Sequence, residues 1–99
     1  MTDRDPALTE LETIRDFIRL GASRMNKAGL YYGHGTDNAW DEAVQLVLHA
    51  SGLPWDADPQ VLSAKLLQSE KAEILKLFDA RINERVPAPY LLGEAHFCG

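Results

Sequence analysis

The chain has 99 residues, 45% of them hydrophobic and 25% charged, which favours a single domain with its own apolar core. Its net charge of −5 argues against direct binding of nucleic acid and is compatible with a basic protein partner. The single cysteine excludes an internal disulfide framework, and neither a signal sequence nor a membrane-length apolar run occurs, so we expect a soluble, cytoplasmic protein.

The first predicted helix covers residues 9–29. Thr9 and Glu12 have the T-x-x-E spacing of a capping box at its start, and Gly29 stands where a helix C-terminal glycine belongs. Apolar residues recur at spacings of three and four, which predicts one buried face: Leu11, Ile14, Phe17, Ile18, Ala22 and Met25.

A glycine-rich loop leads into the second predicted helix, residues 39–52. Asp37 or Asn38 can cap this helix, and Gly52 ends it. The apolar residues cover so much of its circumference that we expect a central position in the fold: Trp40, Ala43, Val44, Leu46, Val47, Leu48 and Ala50.

Two further helices are predicted, a short one over residues 58–67 and a longer one over residues 69–85. Asp58 and Ser69 are their expected N-caps, with Pro59 at the first helical position of the shorter one. Whether they are continuous or separated by a bend at residues 65–67 stays open. The inward positions of the longer helix are expected to be Ile74, Leu75, Phe78 and Ile82.

The end of the chain differs from the rest in composition. Pro87 and Pro89 argue against helix, and residues 90–99 have the composition of a strand that has no partner strand in the sequence. The fold class expected is therefore all-α, a small bundle of about four helices followed by an extended C-terminal segment. Such an unpaired segment suggests a fragment of a longer protein.

The loop between the first two helices could carry chemistry. His34 between two glycines could be a catalytic histidine, but no nucleophile stands in a recognisable turn, and the glycines are also what a tight turn needs. A phosphate-binding loop is not favoured, because a helix and not a strand precedes these glycines. Tyr31, Tyr32 and Trp40 could form a recognition surface or close the core; we expect Trp40 to pack inside.

Two other constellations are weaker. His34, His49, His96 and Cys98 include one H-x-C pair without a second pair, which is a poor metal signal. Asp37, Asp41 and Glu42 could act as an acid–base pair, but helix capping and the helix dipole explain them without further assumption.

A junction near the end of the chain resembles one in the protein-glutamine methyltransferases. Residues 81–99, RINERVPAPYLLGEAHFCG, have that family's order of an arginine at a helix end, a Pro-x-x-Tyr-Leu segment and a Phe-x-Gly that lead into a β-hairpin. Pro89, directly before the tyrosine, departs slightly from the pattern. The matching residues are Arg85, Pro87, Tyr90, Leu91, Gly93, Phe97 and Gly99.

The loop and second helix indicate a branch of that family. Residues 31–48, YYGHGTDNAWDEAVQLVL, are similar to the enzymes that methylate a glutamine of the third large-subunit ribosomal protein, not to the branch acting on peptide release factors. The resemblance covers nearly the whole chain. It implies methyl transfer from S-adenosylmethionine to the glutamine amide by a Rossmann-like domain whose Asn-Pro-Pro-Tyr signature is not among these residues.

The resemblance implies that residues 1–86 are an N-terminal helical substrate-recognition domain and that residues 87–99 begin the hairpin to a catalytic domain. S-adenosylmethionine would bind outside this chain, which would hold no catalytic, cofactor or metal residue and would be inactive alone. The implied partners are the ribosomal protein and the catalytic domain, and self-association through an uncovered surface is plausible. The candidate substrate-binding residues are Tyr31, Tyr32 and His34.

Two alternatives remain from residues alone. A free-standing helical interaction module would leave residues 90–99 to pair with a partner strand or stay disordered. A small hydrolase or metal enzyme would depend on His34.

Overall fold

The computed structural model describes residues 5–30 and 38–93, and within them the fold is an all-α bundle, as the sequence predicts. Three helices of twelve to fifteen residues form the bundle, and shorter helical pieces join or flank them. In chain order the elements are α1 (Ala7–Glu10), α2 (Ile14–Ala28), α3 (Ala39–Ala50), a 3₁₀ helix (Pro59–Ser63), α4 (Gln68–Ile82) and α5 (Ala88–Leu91).

The start of α2 differs from the prediction. The capping box is formed by Thr13 and Asp16, not by Thr9 and Glu12: the Asp16 N–H donates to Thr13 Oγ1 at 3.1 Å, and the Thr13 N–H donates to Asp16 Oδ2 at 3.0 Å. Glu12 cannot enter the helix because the Leu66 N–H donates to its carbonyl at 2.7 Å. This long-range pairing, around the bridge between Thr13 and Lys65, holds Thr13 extended, and the helix begins at Ile14.

The hydrophobic core lies mainly between α2 and α3. The predicted inward face of α2 is confirmed, since Phe17, Ile18 and Met25 are fully buried. Leu46 and Val47 of α3 are fully buried opposite them, and Ile74 and Phe78 of α4 close the third side. Each of the three long helices contacts the other two, so α3 shares the core with α2 and α4 and is not more central than they are.

Helices α2 and α4 approach each other closely at Gly21. A Cβ atom at this position would lie 2.7 Å from Cε1 of the buried Phe78 ring, so the ring occupies the space that a larger residue would need. Glycine in the middle of a helix costs about 1 kcal/mol of helix stability relative to alanine, and here it is explained by the close packing of the Phe78 ring.

The ends of α3 follow the expected chemistry, with one exception. Asn38 is the cap, since its Oδ1 accepts from the Asp41 N–H at 2.8 Å; Asp37 lies outside the described residues. Gly52 has a φ of 75°, as a stop residue after a helix requires. Trp40, however, is 43% exposed, so the prediction that it packs inside is wrong.

Helices three and four of the sequence prediction are separate. The first is the 3₁₀ helix, capped by Asp58, whose Oδ1 accepts from the Gln60 N–H at 2.8 Å. The C-cap of the 3₁₀ helix, Ala64, and the N-cap of α4, Leu67, both have extended backbones, so the chain leaves the helical conformation between the two helices. The prediction of Ser69 as the cap of α4 is wrong: the Glu70 carboxylate accepts from the Leu67 N–H at 2.9 Å instead.

The chain after α4 also departs from expectation. Residues 88–91, where the prolines argued against helix, form the single turn α5. Pro89 is tolerated because the first N–H groups of a helix have no intrahelical acceptor. Before this turn Arg85 has a φ of 61°, which is unusual for a non-glycine residue. The extended segment expected over residues 90–99 is therefore wrong at Tyr90 and Leu91, which belong to α5, and residues 94–99 lie outside the described residues.

Candidate functional site

Only some of the candidate site residues predicted from the sequence lie in the described part of the chain. Tyr31, Tyr32 and His34 lie outside the described residues, in the segment that connects Leu30 to Asn38. Of the proposed acid–base group, Asp41 is exposed and Glu42 is buried, so consecutive residues of α3 face opposite environments. The structure therefore does not bring these two carboxylates together on one surface.

An open groove of about 490 Å³ runs along the outer face of α3. Helical periodicity produces its floor, because residues three and four positions apart lie on one side of a helix. Val44 and Leu48 supply the apolar part of this floor, and Leu53 and Leu92 close it from the segments after α3 and α5. The polar part comes from Asp41, Gln45 and His49 of the same helix.

Trp55 forms one wall of the α3 groove. It lies in the connection that follows Gly52, where the Ala57 N–H donates to the Pro54 carbonyl at 3.1 Å and closes a turn around it. Trp55 is 81% exposed. The other large apolar residues on the surface of the described chain are less exposed: Leu67, Tyr90 and Trp40. An indole held on the surface by a proline-containing turn offers a large, rigid contact area.

The charges around the α3 groove have one sign. Asp41 lies on its rim, and Asp56, next to Trp55, is exposed. Among the described residues that line the groove there is no lysine and no arginine. The groove therefore has an apolar floor, an aromatic wall and an acidic rim, a combination that suits a segment carrying both apolar and cationic side chains.

A buried ion pair lies on the inner side of α3. The Glu42 carboxylate accepts a hydrogen bond from Nε of Arg81 in the last turn of α4. The two residues are 3% and 8% exposed. Breaking a buried ion pair is strongly destabilising, so this contact helps to fix how α3 and α4 meet.

Sequence reasoning assigned Glu42 to the helix dipole and missed this pair, although a signal was present. Glu42 precedes the buried Leu46 by four positions, and Arg81 follows the buried Phe78 by three. Helical spacing thus places both charges on the apolar faces of their helices. Charges of opposite sign on two inward faces predict a buried pair where the helices meet.

A second groove, of about 470 Å³, lies between α2 and α4. Its charged groups are of both signs and partly satisfied, since Arg24 donates from Nη2 to Asp5 Oδ2 at 2.8 Å. Lys27 and Asp79 add one further charge of each sign. This groove is therefore less selective for the charge of a ligand than the α3 groove.

The described residues hold no group of three or more potential metal ligands among His, Cys, Asp and Glu. Within residues 5–30 and 38–93, no helix is both long and apolar enough to span a bilayer. His96 and Cys98 lie outside the described residues.

The fold and the groove first define the class of protein. It is a small all-α domain with an apolar groove that has a carboxylate at its edge. Over 93 residues, 94% of its length, the chain is 57% identical to the ribosomal protein uL3 glutamine methyltransferase of Xanthomonas campestris pv. campestris. It is 56% identical over the same length to the protein of that name from Xylella fastidiosa, and 53% identical over 90 residues to that of Bordetella pertussis. The chain is therefore homologous to a segment of the ribosomal protein uL3 glutamine methyltransferases, and the resemblance seen in the sequence is confirmed.

The chain spans about 30% of the length of the curated relatives that it matches. No protein-family model matches it, and no solved structure does either.

Proposed function

We propose that this chain is the N-terminal helical domain of an S-adenosylmethionine-dependent methyltransferase and that it recognises the protein substrate, ribosomal protein uL3. The observation that carries the proposal is the 57% identity over 94% of the chain to a protein named for that activity. Identity of this degree along a continuous 93-residue match argues for the same role in the same kind of enzyme. The cytoplasm, where ribosomal proteins are made, is the compartment that this role requires.

The reaction proposed for the whole protein moves a methyl group from the sulfonium of S-adenosylmethionine to the side-chain amide nitrogen of a glutamine. We place the binding of S-adenosylmethionine in the part of the relatives that this chain does not span, which is about 70% of their length by difference from the 30% that it covers. Residues 1–86 would then be the recognition domain, and residues 87–99 would begin the connection to the catalytic domain. The 99-residue chain alone would be inactive.

Binding is the task that the described side chains can perform. The α3 groove presents an exposed indole and an apolar floor, and such features anchor protein–protein contacts. Tyr31, Tyr32 and His34 remain our candidates for substrate contact, because they lie between α2 and α3 in the sequence and loop residues often carry recognition. The net charge of −5 suits a basic partner.

The test is to measure binding and methyl transfer with the same preparation. Purified uL3 is titrated into the 99-residue chain by calorimetry, and the mixture is then incubated with S-adenosylmethionine labelled in its methyl group. We expect saturable binding and no label in uL3. Label transferred by this chain, or the absence of any uL3 binding, would contradict the proposal.

A double variant, Tyr31→Ala with Tyr32→Ala, tests the loop separately. We expect weaker uL3 binding while the far-ultraviolet circular dichroism stays unchanged. An unchanged affinity in the folded variant would remove the two tyrosines from the substrate contact and leave the assignment of the domain intact. Reading the coding sequence beyond codon 99 for an Asn-Pro-Pro-Tyr signature is the independent check on the catalytic domain.

A further inference from the structure

The α3 groove has an apolar surface that the described residues leave open. Trp55 is 81% exposed on its wall, and Val44 and Leu53 beside it are only partly buried. Exposing a large aromatic side chain to water is unfavourable, and tryptophan is strongly enriched among the residues that dominate the energetics of protein interfaces. These features indicate a surface that a partner covers.

The charge of the α3 groove restricts what that partner is. Asp41 is the one formally charged residue among those described as lining it, and the exposed Asp56 follows the indole of Trp55 directly in sequence. A lysine or arginine side chain that approached this rim would meet a carboxylate and could lie over the indole face as a cation–π contact. An acidic side chain that approached Asp41 would be repelled.

We propose that the α3 groove is the docking site for a basic segment of the protein substrate. An apolar side chain of that segment would enter between Val44 and Leu53, and a neighbouring lysine or arginine would lie against Asp41 and Trp55. This inference rests on the proposed function, and it adds a location and a recognition chemistry to it. Apolar burial supplies most of the affinity, and the carboxylate selects for positive charge.

The second groove does not suit the same occupant. It carries the cationic side chains of Arg24 and Lys27, of which Arg24 is paired with Asp5. The carboxylates of Asp5 and Asp79 balance these two cations, so a basic segment would meet like charges as well as opposite ones and would have to compete with an existing ion pair. Of the two grooves, the α3 groove is the one that favours positive charge.

A different occupant sets the main competing outcome. Leu92 lines the α3 groove and stands close to the end of the described chain, so another part of a longer protein could cover the same surface. If another part of the protein covers the groove, the affinity for the substrate should not depend on Asp41. The binding of substrate to the 99-residue chain, and its sensitivity to groove variants, therefore separates the two occupants.

The experiment compares two groove variants with two matched controls in the 99-residue chain. Trp55→Ala removes the aromatic wall, and Leu67→Ala removes an apolar side chain that is 67% exposed outside the groove. Asp41→Asn removes the rim charge, and Glu73→Gln removes an exposed charge on α4. Each variant is titrated with purified uL3, and the fold is checked by circular dichroism.

We expect Trp55→Ala to weaken uL3 binding about tenfold or more, in the range of an interface hot spot, with both controls within about twofold of the wild type. Asp41→Asn should weaken binding less, and it should reduce the dependence of Kd on salt, because one screened charge pair is gone. The indole N–H resonance of Trp55 should shift on addition of uL3.

Two results would overturn the proposal, and they differ in what else they affect. If the wild-type chain binds uL3 and both groove variants bind equally well, the docking site lies elsewhere, and the proposed function stands. If the wild-type chain does not bind uL3, the proposed function and the docking site fail together.

Discussion

The two faces of α3 show how one helix can serve stability and binding with neighbouring residues. On the inner face Glu42, Leu46 and Val47 are buried against α2 and α4. On the outer face Asp41, Val44 and Gln45 line an open groove. Because each residue turns about 100° around the helix axis, consecutive residues such as Asp41 and Glu42 fall into these two environments.

The difference teaches that residue type alone does not assign a role in this helix. Two adjacent carboxylates follow Trp40 in the first turn, where both suit the helix dipole equally well. Only the position around the axis distinguishes them: Glu42 pairs with Arg81 in the interior, whereas Asp41 gives the groove its charge. The inner face should therefore be sensitive to substitution in stability, and the outer face in binding.

The largest expected difference between the two faces of α3 comes from replacing Glu42 and Asp41 one at a time. Glu42→Ala breaks the buried ion pair with Arg81, and we expect a loss of about 3–5 kcal/mol in the free energy of unfolding. Asp41→Ala, one residue earlier, removes an exposed charge near the helix N-terminus and should cost about 1 kcal/mol or less. Urea denaturation of the two variants measures both values.

If the two carboxylate variants lose similar stability, the inner pair does not hold α3 against α4. A double variant with methionine at both Glu42 and Arg81 is the control. Replacing a whole buried pair by apolar residues is often nearly neutral, so this variant should be much more stable than Glu42→Ala.

A second pair of neighbouring residues on the same helix, Leu46 and Gln45, gives a somewhat smaller contrast. Leu46→Ala empties part of the core at a fully buried position, and the expected loss is about 2–5 kcal/mol. Gln45→Ala changes a half-buried side chain at the groove and should shift stability by no more than about 0.5 kcal/mol. Thermal and urea unfolding would contradict the assignment of faces if Gln45→Ala proved the more damaging change.

The packing behind α3 is tested by Gly21→Ala. Alanine is the better helix former by about 1 kcal/mol, but its Cβ would press against the Phe78 ring, and overpacking a core costs about 1–3 kcal/mol. We therefore expect a net destabilisation of roughly 1 kcal/mol. A more stable Gly21→Ala protein would show that the ring can move. If the ring causes the penalty, Gly21→Ala should no longer destabilise the protein in a Phe78→Leu background, because the atoms that the new Cβ meets are removed.

The capping box of α2 should make stability depend on pH. Hydrogen bonds from the backbone N–H groups of Thr13 and then Glu12 lower the pKa of Asp16 below its usual value. The ionised carboxylate therefore stabilises the fold above the unfolded-state pKa of about 3.9, and this contribution is lost as the pH falls through the lower, folded-state pKa.

Unfolding measured between pH 6 and pH 2 tests this linkage, with Asp16→Asn as the variant that lacks the titration. We expect the stability difference between wild type and variant to shrink as the pH falls below about 4. A difference that stays constant down to pH 2 would mean that the Asp16 charge does not contribute.

The sequence predicts those parts of the fold that local residues determine, and it does not predict those that depend on residues far away in the chain. The α2 core face follows from spacing alone, and Gly29 is the left-handed residue that a helix end requires. The start of α2 could not be located, because two T-x-x-acid patterns compete and pairing with Ala64 and Leu66, about fifty residues away, selects the second. Local propensity contains no information about that partner.

The candidate site was the less predictable part for the same reason. The α3 groove depends on where Leu92, after α5, and the Trp55 turn lie relative to α3, because these distant parts of the chain line it together with residues of α3. The sequence analysis did not single out Trp55, because a lone tryptophan next to a proline has no periodicity that would mark it as exposed. The homology assigned a family to the chain but not a surface.

The smallest expected effect on stability is the one that most sharpens the comparison between the two faces. Trp55→Ala removes the largest exposed side chain of the groove, and because the indole is 81% exposed, its loss should change the free energy of unfolding by no more than about 0.5 kcal/mol. Urea denaturation of this variant against wild type measures the effect. A loss above about 2 kcal/mol would mean that the indole packs against the domain in solution, and a binding defect in the same variant would then report on folding. An unchanged midpoint would assign any loss of uL3 affinity to the groove itself.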